Sequence, residues 1–130
     1  MADMAYVRRS TKTLAQTVEA VQASAAEANW TVLAVHDMKQ RFVSKGFDWD
    51  RGLTIVEVCN SKFASAMVEA NPLLALHLPC PVVVREDGEG VEVSILRPSY
   101  VSSLFPTTFF GEGPAESEAG ITAIVDDAVS

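Results

Sequence analysis

The chain has 130 residues, of which 48% are hydrophobic and 21% charged, a balance typical of a folded globular domain and not of a disordered segment. Seventeen acidic against ten basic side chains give a net charge of -7, which repels a phosphate backbone, so nucleic acid is not expected as a partner. No apolar run approaches the roughly 18 residues that cross a bilayer, and the N-terminus lacks the apolar segment of a signal peptide. We therefore expect one cytoplasmic domain over residues 1–130, without membrane contact, whose two cysteines stay reduced.

The first half of the chain predicts three strands and one long helix. The helix runs from about Leu14 to Asn29 behind a capping box at Thr13 and Gln16, and its apolar residues recur at helical spacing. Strands rich in β-branched residues are predicted over residues 4–9, 30–36 and 53–59. The segment Asp37 to Gly52 mixes charge, glycine and aromatic residues, which indicates an ordered loop with a helical turn at Met38 to Val43.

The second half predicts two further strands and two further helices. Asn60 is a good N-cap for a helix that stops at Asn71, because the residue before Pro72 is pushed out of the α region. A hairpin follows, with strands over residues 81–86 and 91–97 around a Gly-containing turn. Residues 98–114 are rich in Pro, Gly, Ser, Thr and Phe and predict a loop, and residues 115–129 predict an amphipathic C-terminal helix that Gly120 weakens.

The predicted order is strand, helix, strand, strand, helix, strand, strand, helix. Helices separated by pairs of strands indicate an α+β fold, a two-layer sandwich with a mainly antiparallel sheet.

Four short motifs are similar to those of a known family. They are Asp37 after the second strand, Lys45-Gly46-Phe47 in the loop, Glu57-Val58-Cys59-Asn60 at a strand–helix junction, and Leu78-Pro79-Cys80 before the hairpin. Together they resemble the bacterial and archaeal family called domain of unknown function 302, also known as the TT1751-like fold. Ser61 departs from the proline that such proteins often have there, and Asn29-Trp30 replaces a more usual Gly-Phe. The resemblance implies a compact α/β domain, often dimeric, without an established activity.

Cys59 and Cys80 are the sharpest candidates for chemistry, because a thiolate can act as nucleophile, redox partner or metal ligand. Cys59 ends a strand just before a helix N-terminus, where an anion is favoured. Glu57 on the same strand face opposes a thiolate, and a cysteine among Val and Ile usually packs as a small hydrophobe. Both interpretations stay open from the sequence.

The distance between the two sulfurs depends on topology. In a ferredoxin-like arrangement the strands on either side of the middle helix run parallel, which places Cys59 and Cys80 at opposite edges of the sheet. A six-residue strand spans roughly 20 Å, so this arrangement predicts no disulfide.

Other polar candidates carry weaker signals. A metal site could combine His36, Cys59, His77 and Cys80, but these residues lack the two closely spaced ligand pairs of zinc modules. His36 and Asp37 could form an acid/base pair, although adjacent strand residues point to opposite faces. Lys45-Gly46-Phe47 lacks the flanking glycines of a phosphate loop, and no cofactor is expected.

The interpretation we favour is a small-molecule-binding or protein-interaction module that forms a homodimer through a sheet edge or the C-terminal helix. The predicted pocket lies between the sheet and the long loops and is lined by Phe47, Trp49, Cys59 and Phe105. Two alternatives are a thiol-dependent redox or sulfur-handling enzyme that uses Cys59 or Cys80, and a metal-binding protein.

Overall fold

The computed structural model describes residues 4–130, which form five strands, five α-helices and one 3-10 helix. In chain order these are β1 Ala5–Ser10, α1 Leu14–Glu27, β2 Thr31–Asp37, α2 Met38–Ser44, β3 Leu53–Cys59, α3 Ser61–Ala70, the 3-10 helix Pro72–His77, β4 Cys80–Asp87, β5 Gly90–Leu96, α4 Pro98–Ser103 and α5 Gly113–Val129. No helix in this described part of the chain is both long and apolar enough to span a membrane.

The strands form a single sheet in the order β1-β5-β4-β3-β2. Every neighbouring pair is antiparallel. The predicted α+β class with a mainly antiparallel sheet is therefore confirmed, and β3 has the bounds that its alternation predicted. Because β1 and β2 are the edge strands, the chain starts on one edge and crosses to the other through α1.

One face of the sheet and the helices enclose the core. Alternate residues of the three central strands are buried, as period-two geometry requires, and α1 and α5 pack on this face and on each other. The predicted apolar stripe of α5 is buried at Ile121, Ile124, Val125 and Ala128. In α1, Val21 and Ala25 are fully buried, whereas Ala28 lies beyond the end of the helix and is exposed.

The other face of the sheet carries no buried residue. We call this side of the sheet the open face. Its larger apolar side chains are half-buried or exposed, and they are Val7, Leu53, Ile55, Pro81, Val83 and Leu96. Since a helix layer would bury such side chains, the helices cover only one side of the sheet.

Side-chain caps set the ends of the helices. The capping box at Thr13 is complete, with Gln16 N–H donating to the threonine Oγ1 and Thr13 N–H donating to Gln16 Oε1. Asn60 Oδ1 accepts hydrogen bonds from the N–H groups of Lys62 and Phe63 at the start of α3. These local signals are why the helix positions follow from the sequence.

The segment 98–114 is more ordered than its composition predicted. It begins with α4, where Pro98 occupies the first turn and has no N–H group to leave unpaired. Ser99 N–H and Oγ–H both donate to Glu118 Oε1 on α5, at 3.0 and 2.6 Å. The loop prediction was wrong for Pro98–Ser103, because this tie to α5 and the burial of Val101 are tertiary contacts.

Candidate functional site

The two cysteines lie at the same end of the sheet. β4 returns antiparallel beside β3, and Val58 pairs directly with Cys80, so that Cys59 is one residue from the pairing position. The expectation that Cys59 and Cys80 sit at opposite edges was wrong. It assumed parallel strands around α3, whereas the 3-10 helix Pro72–His77 reverses the chain direction instead.

Both cysteines line one small cavity between the sheet and α3. Its lining is mainly apolar and comprises Trp30, Cys59, Asn60, Phe63, Ala64, Met67, Leu78, Cys80 and Ser117. Its accessible volume is only about 10 Å³, which is enough for about one water molecule. No organic ligand fits there without movement of the walls.

The Cys80 thiol and the His77 imidazole are close together, with the sulfur 3.9 Å from His77 Nε2. Burial raises the pKa of the Cys80 thiol to about 11, and the nearby Cys59 thiol adds to this rise. Burial also lowers the pKa of His77. A nucleophilic pair needs thiolate and imidazolium, so both shifts favour the wrong, uncharged forms. The arrangement at Cys80 is that of a packed neutral thiol.

Cys59 gains no anion site from the helix that follows it. It is half-buried at the tip of β3, opposite Thr31 of β2. The amide hydrogens at the start of α3 that could hold a thiolate are donated to Asn60 Oδ1, at 3.1 and 3.4 Å. The helix start therefore does not supply Cys59 with the donors that the sequence pattern suggested.

The proposed metal ligands are not assembled. His36 pairs with Ile55, four residues along β3 from Cys59, which is a separation of roughly 13 Å. Across residues 4–130 there is no group of three or more His, Cys, Asp or Glu side chains placed to hold a metal ion.

The four residues of the predicted pocket occupy different parts of the molecule. Phe47 is 66% exposed in the loop before β3, and Trp49 packs edge-on against Phe42 at 4.9 Å between ring centres. Cys59 lies at the far end of β3 from this loop. Phe105 belongs to a second apolar cluster with Phe110, at 5.9 Å. The structure thus splits the predicted pocket into two aromatic clusters, one before β3 and one beside α4.

His36 has a partner that sequence reasoning missed. Its Nε2 lies 3.0 Å from Glu57 Oε1 across the β2–β3 pair, while Asp37 instead caps α2 by accepting from Gln40 N–H at 2.9 Å. Because a carboxylate only accepts, His36 Nε2 carries the hydrogen and Nδ1 stays available. The sequence signal was alternation, which placed Glu57 on the same strand face as Cys59 without giving its register to β2.

A polar cleft of about 450 Å³ opens beside this pair, between the end of β2 and α2. It is lined by Val35, His36, Asp37, Gln40, Arg41, Ser44 and Lys45. We call it the α2 cleft. Unlike the cysteine cavity, it is a wide depression open to solvent, and it exposes charged groups.

The fold and these sites define a two-layer α+β domain with one open sheet face. The chain belongs to the family described as domain of unknown function DUF302, whose family model matches residues 6–128. This confirms the resemblance read from the four motifs.

A crystal structure of an uncharacterised conserved DUF302 protein from Bacillus stearothermophilus is similar to this chain, with a TM-score of 0.88. The two share 23% identity over 96% of this chain and 98% of that one, which establishes a common fold. No curated protein matches the chain.

Proposed function

We propose that this domain is a self-associating interaction module, a homodimer whose subunits pack through the open face of their sheets. The observation that carries the proposal is that the helices cover one side of the sheet and leave apolar side chains uncovered on the other. Parallel contact of two such faces is the packing used within β-sandwiches.

A mainly apolar row crosses the centre of the open face. It consists of Val7 on β1, Val83 on β4 and Ile55 on β3, with the polar Ser94 of β5 between Val7 and Val83. Val7 lies on the edge strand β1, and its side chain is 49% exposed. Side chains in such a row interdigitate with a second sheet about 10 Å away.

The charges around the row are already neutralised by each other. Arg85 Nε donates to Glu92 Oε1 at 2.9 Å, and Arg9 binds Asp87 through both terminal nitrogens. With Glu57, this face holds two arginines and three carboxylates, whereas the chain as a whole has a net charge of -7. The near balance of charge on this face limits the electrostatic repulsion between two copies.

The open face is smaller than a standard interface. Five strands spaced by about 4.8 Å and about 20 Å long give a plane of roughly 480 Å². A standard interface takes roughly 800 Å² from each partner, so a dimer through this face belongs at the small end of specific interfaces.

The surfaces expected from the sequence are less suited to pairing. The edge strand β2 is interrupted by a register shift between Val32 and Ala34, and the edge strand β1 exposes Arg8 and Arg9. Bulges and charged side chains both protect sheet edges from pairing. The apolar stripe of α5 is buried in the core. The open face therefore supports a homodimer better than the sheet edges or the C-terminal helix.

Light scattering coupled to size exclusion tests the proposal at tens of micromolar protein. We expect the wild type to have twice the 14.0 kDa mass of the chain. Val83→Glu places an unpaired charge in the centre of the contact and should produce a monomer, because burying it opposes association. Leu76→Glu is the control, since Leu76 is 85% exposed on the 3-10 helix, away from the sheet.

Circular dichroism shows whether Val83→Glu keeps its fold, and Ile55→Glu repeats the test on a second strand. A monomeric wild type would refute the homodimer. A dimer that persists in both folded sheet variants would refute the open face as its interface.

A further inference from the structure

We propose that the α2 cleft binds a small organic carboxylate through Arg41 and Lys45, with His36 as a third contact. The cleft adjoins the open face, because His36 pairs with Ile55. The two proposals are nevertheless tested by different variants and different measurements. It assigns a ligand class to a site that lies away from both cysteines.

Among the described residues, Arg41 is the arginine without a carboxylate partner, and Lys45, like the other lysines, also has none. Within residues 4–130, every other arginine has a carboxylate oxygen within 4.0 Å, as in Arg8–Asp126, Arg9–Asp87, Arg51–Asp50, Arg85–Glu92 and Arg97–Glu118. Neither Arg41 nor Lys45 has one. In a chain with a surplus of seven negative charges, two adjacent unpaired cations beside a concave surface are an available site for an anion.

Helical geometry brings the two cations together. Arg41 and Lys45 are four residues apart on α2 and its C-cap, a spacing that places their side-chain bases about 6 Å apart on one face. The planar guanidinium of Arg41 matches the two oxygens of a carboxylate, and the Lys45 ammonium adds a point charge. Both side chains line the cleft.

His36 supplies a positioned donor or acceptor in the lining of the same cleft. The 3.0 Å hydrogen bond to Glu57 holds its ring and leaves Nδ1 without a protein partner in the described structure. Glu57 is thus a positioning residue for His36. Because His36 lines the cleft together with Arg41 and Lys45, its ring is a third contact for a ligand bound there.

Asp37 limits the charge of the ligand. Its carboxylate also lines the cleft, with Oδ1 engaged by Gln40 N–H. A dianionic phosphate would meet this negative group more unfavourably than a monocarboxylate does. The volume of about 450 Å³ admits a ligand of small-metabolite size.

Amide NMR titration with sodium acetate and sodium succinate, at ionic strength held constant with sodium chloride, tests the assignment. We expect saturable shifts confined to the amides of residues 35–46 and to the His36 ring. Arg41→Ala/Lys45→Ala should weaken the association by about tenfold or more, the loss that follows removal of charge-assisted hydrogen bonds.

Lys62→Ala is the matched control, because Lys62 is an exposed lysine on α3 without a carboxylate partner in the described chain, and it should leave the titration unchanged. Shifts that do not saturate, or that are equal in the double variant, would overturn the site. Saturable binding of inorganic phosphate with no response to either carboxylate would overturn the ligand class.

Discussion

The indole of Trp30 lies directly against Gly120 of α5. A Cβ atom on Gly120 would be 2.9 Å from Trp30 Cζ2 and 3.3 Å from Nε1. Trp30 is only 5% exposed and its ring is 6.2 Å from that of Phe63, so it has little space to move. A residue that looks like a defect in the helical pattern therefore permits the close approach of α5 to the start of β2.

Gly120→Ala should destabilise the protein, against the usual trend. In an exposed helix interior this change stabilises by about 1 kcal/mol. Here the added methyl group overlaps a buried indole, and overpacking of a core costs typically about 1–3 kcal/mol. We expect a net loss of about 1 kcal/mol in the free energy of unfolding, measured by urea denaturation followed through Trp fluorescence.

Gly88→Ala provides the comparison, because no atom lies within 4 Å of a Cβ atom built at Gly88, in the β4–β5 turn. It should change the unfolding free energy by no more than about 0.5 kcal/mol. A Gly120→Ala protein as stable as Gly88→Ala would show that Trp30 does not pack against α5 as described.

The Cys80 thiol should resist modification in the folded protein. Because burial raises its pKa from an ordinary value of 9.0 to about 11, little thiolate exists at pH 8, and the side chain is 5% exposed. Alkylation by iodoacetamide, located by peptide mass spectrometry, should modify Cys80 only after denaturation. Rapid modification of Cys80 in native protein would instead support the thiol-enzyme alternative.

The same shift predicts a loss of stability in alkali. Between pH 9 and about pH 11 the unfolded chain releases the Cys80 proton while the folded chain retains it, so the unfolding free energy decreases as the pH rises. The decrease from this group is on the order of 2 kcal/mol. Since lysines and tyrosines titrate in the same range, the measurement is the difference between the wild type and Cys80→Ala, whose curve should be flatter. Parallel curves would contradict the prediction.

His77 should weaken the fold in mild acid. Burial lowers its pKa below the ordinary value of 6.5, so the unfolded chain takes up a proton at a pH where the folded chain does not. Its contribution to stability is complete above pH 6.5 and is lost as the pH falls below that value. Thermal unfolding of the wild type and His77→Gln from pH 7 to pH 5 should show a smaller decrease for the variant. An equal decrease in both would exclude a role for His77 burial.

Local signals account for the parts of the fold that were predictable. The alternation of β3, the capping box at Thr13 and the Asn60 cap each depend on residues a few positions apart, so α1, β3 and α3 could be located from the sequence. The hairpin of β4 and β5 followed from a glycine turn between two β-branched runs.

The candidate site depends on contacts that are distant in sequence. Nothing local indicated that Val58 would face Cys80, and the direction of β4 decided whether the thiols would be close. The His36–Glu57 hydrogen bond likewise needs the β2–β3 register, which includes a bulge at Leu33. Burial, which also depends on tertiary packing, then decided between the two interpretations of Cys80, because it favours the uncharged forms of Cys80 and His77.

Glu118 should anchor α4 to α5 as a carboxylate. Burial alone would raise its pKa, but hydrogen bonds from Ser99 and the Arg97 guanidinium, which lies 3.3 Å away, outweigh this effect and lower the pKa below its ordinary value of 4.5. The folded chain therefore favours the charged form, and this contribution to stability is present above pH 4.5 and lost as the pH falls through the lowered pKa.

Glu118→Gln should reduce the unfolding free energy by about 1 kcal/mol at pH 7, the usual value of a hydrogen bond to a partly buried group. Glu116→Gln, an exposed change two residues earlier in the same helix, should have little effect. Urea denaturation at pH 7 and pH 4 measures both, and the difference between wild type and Glu118→Gln should shrink at the lower pH. A difference that stays constant with pH would mean that Glu118 acts through packing and not through its charge.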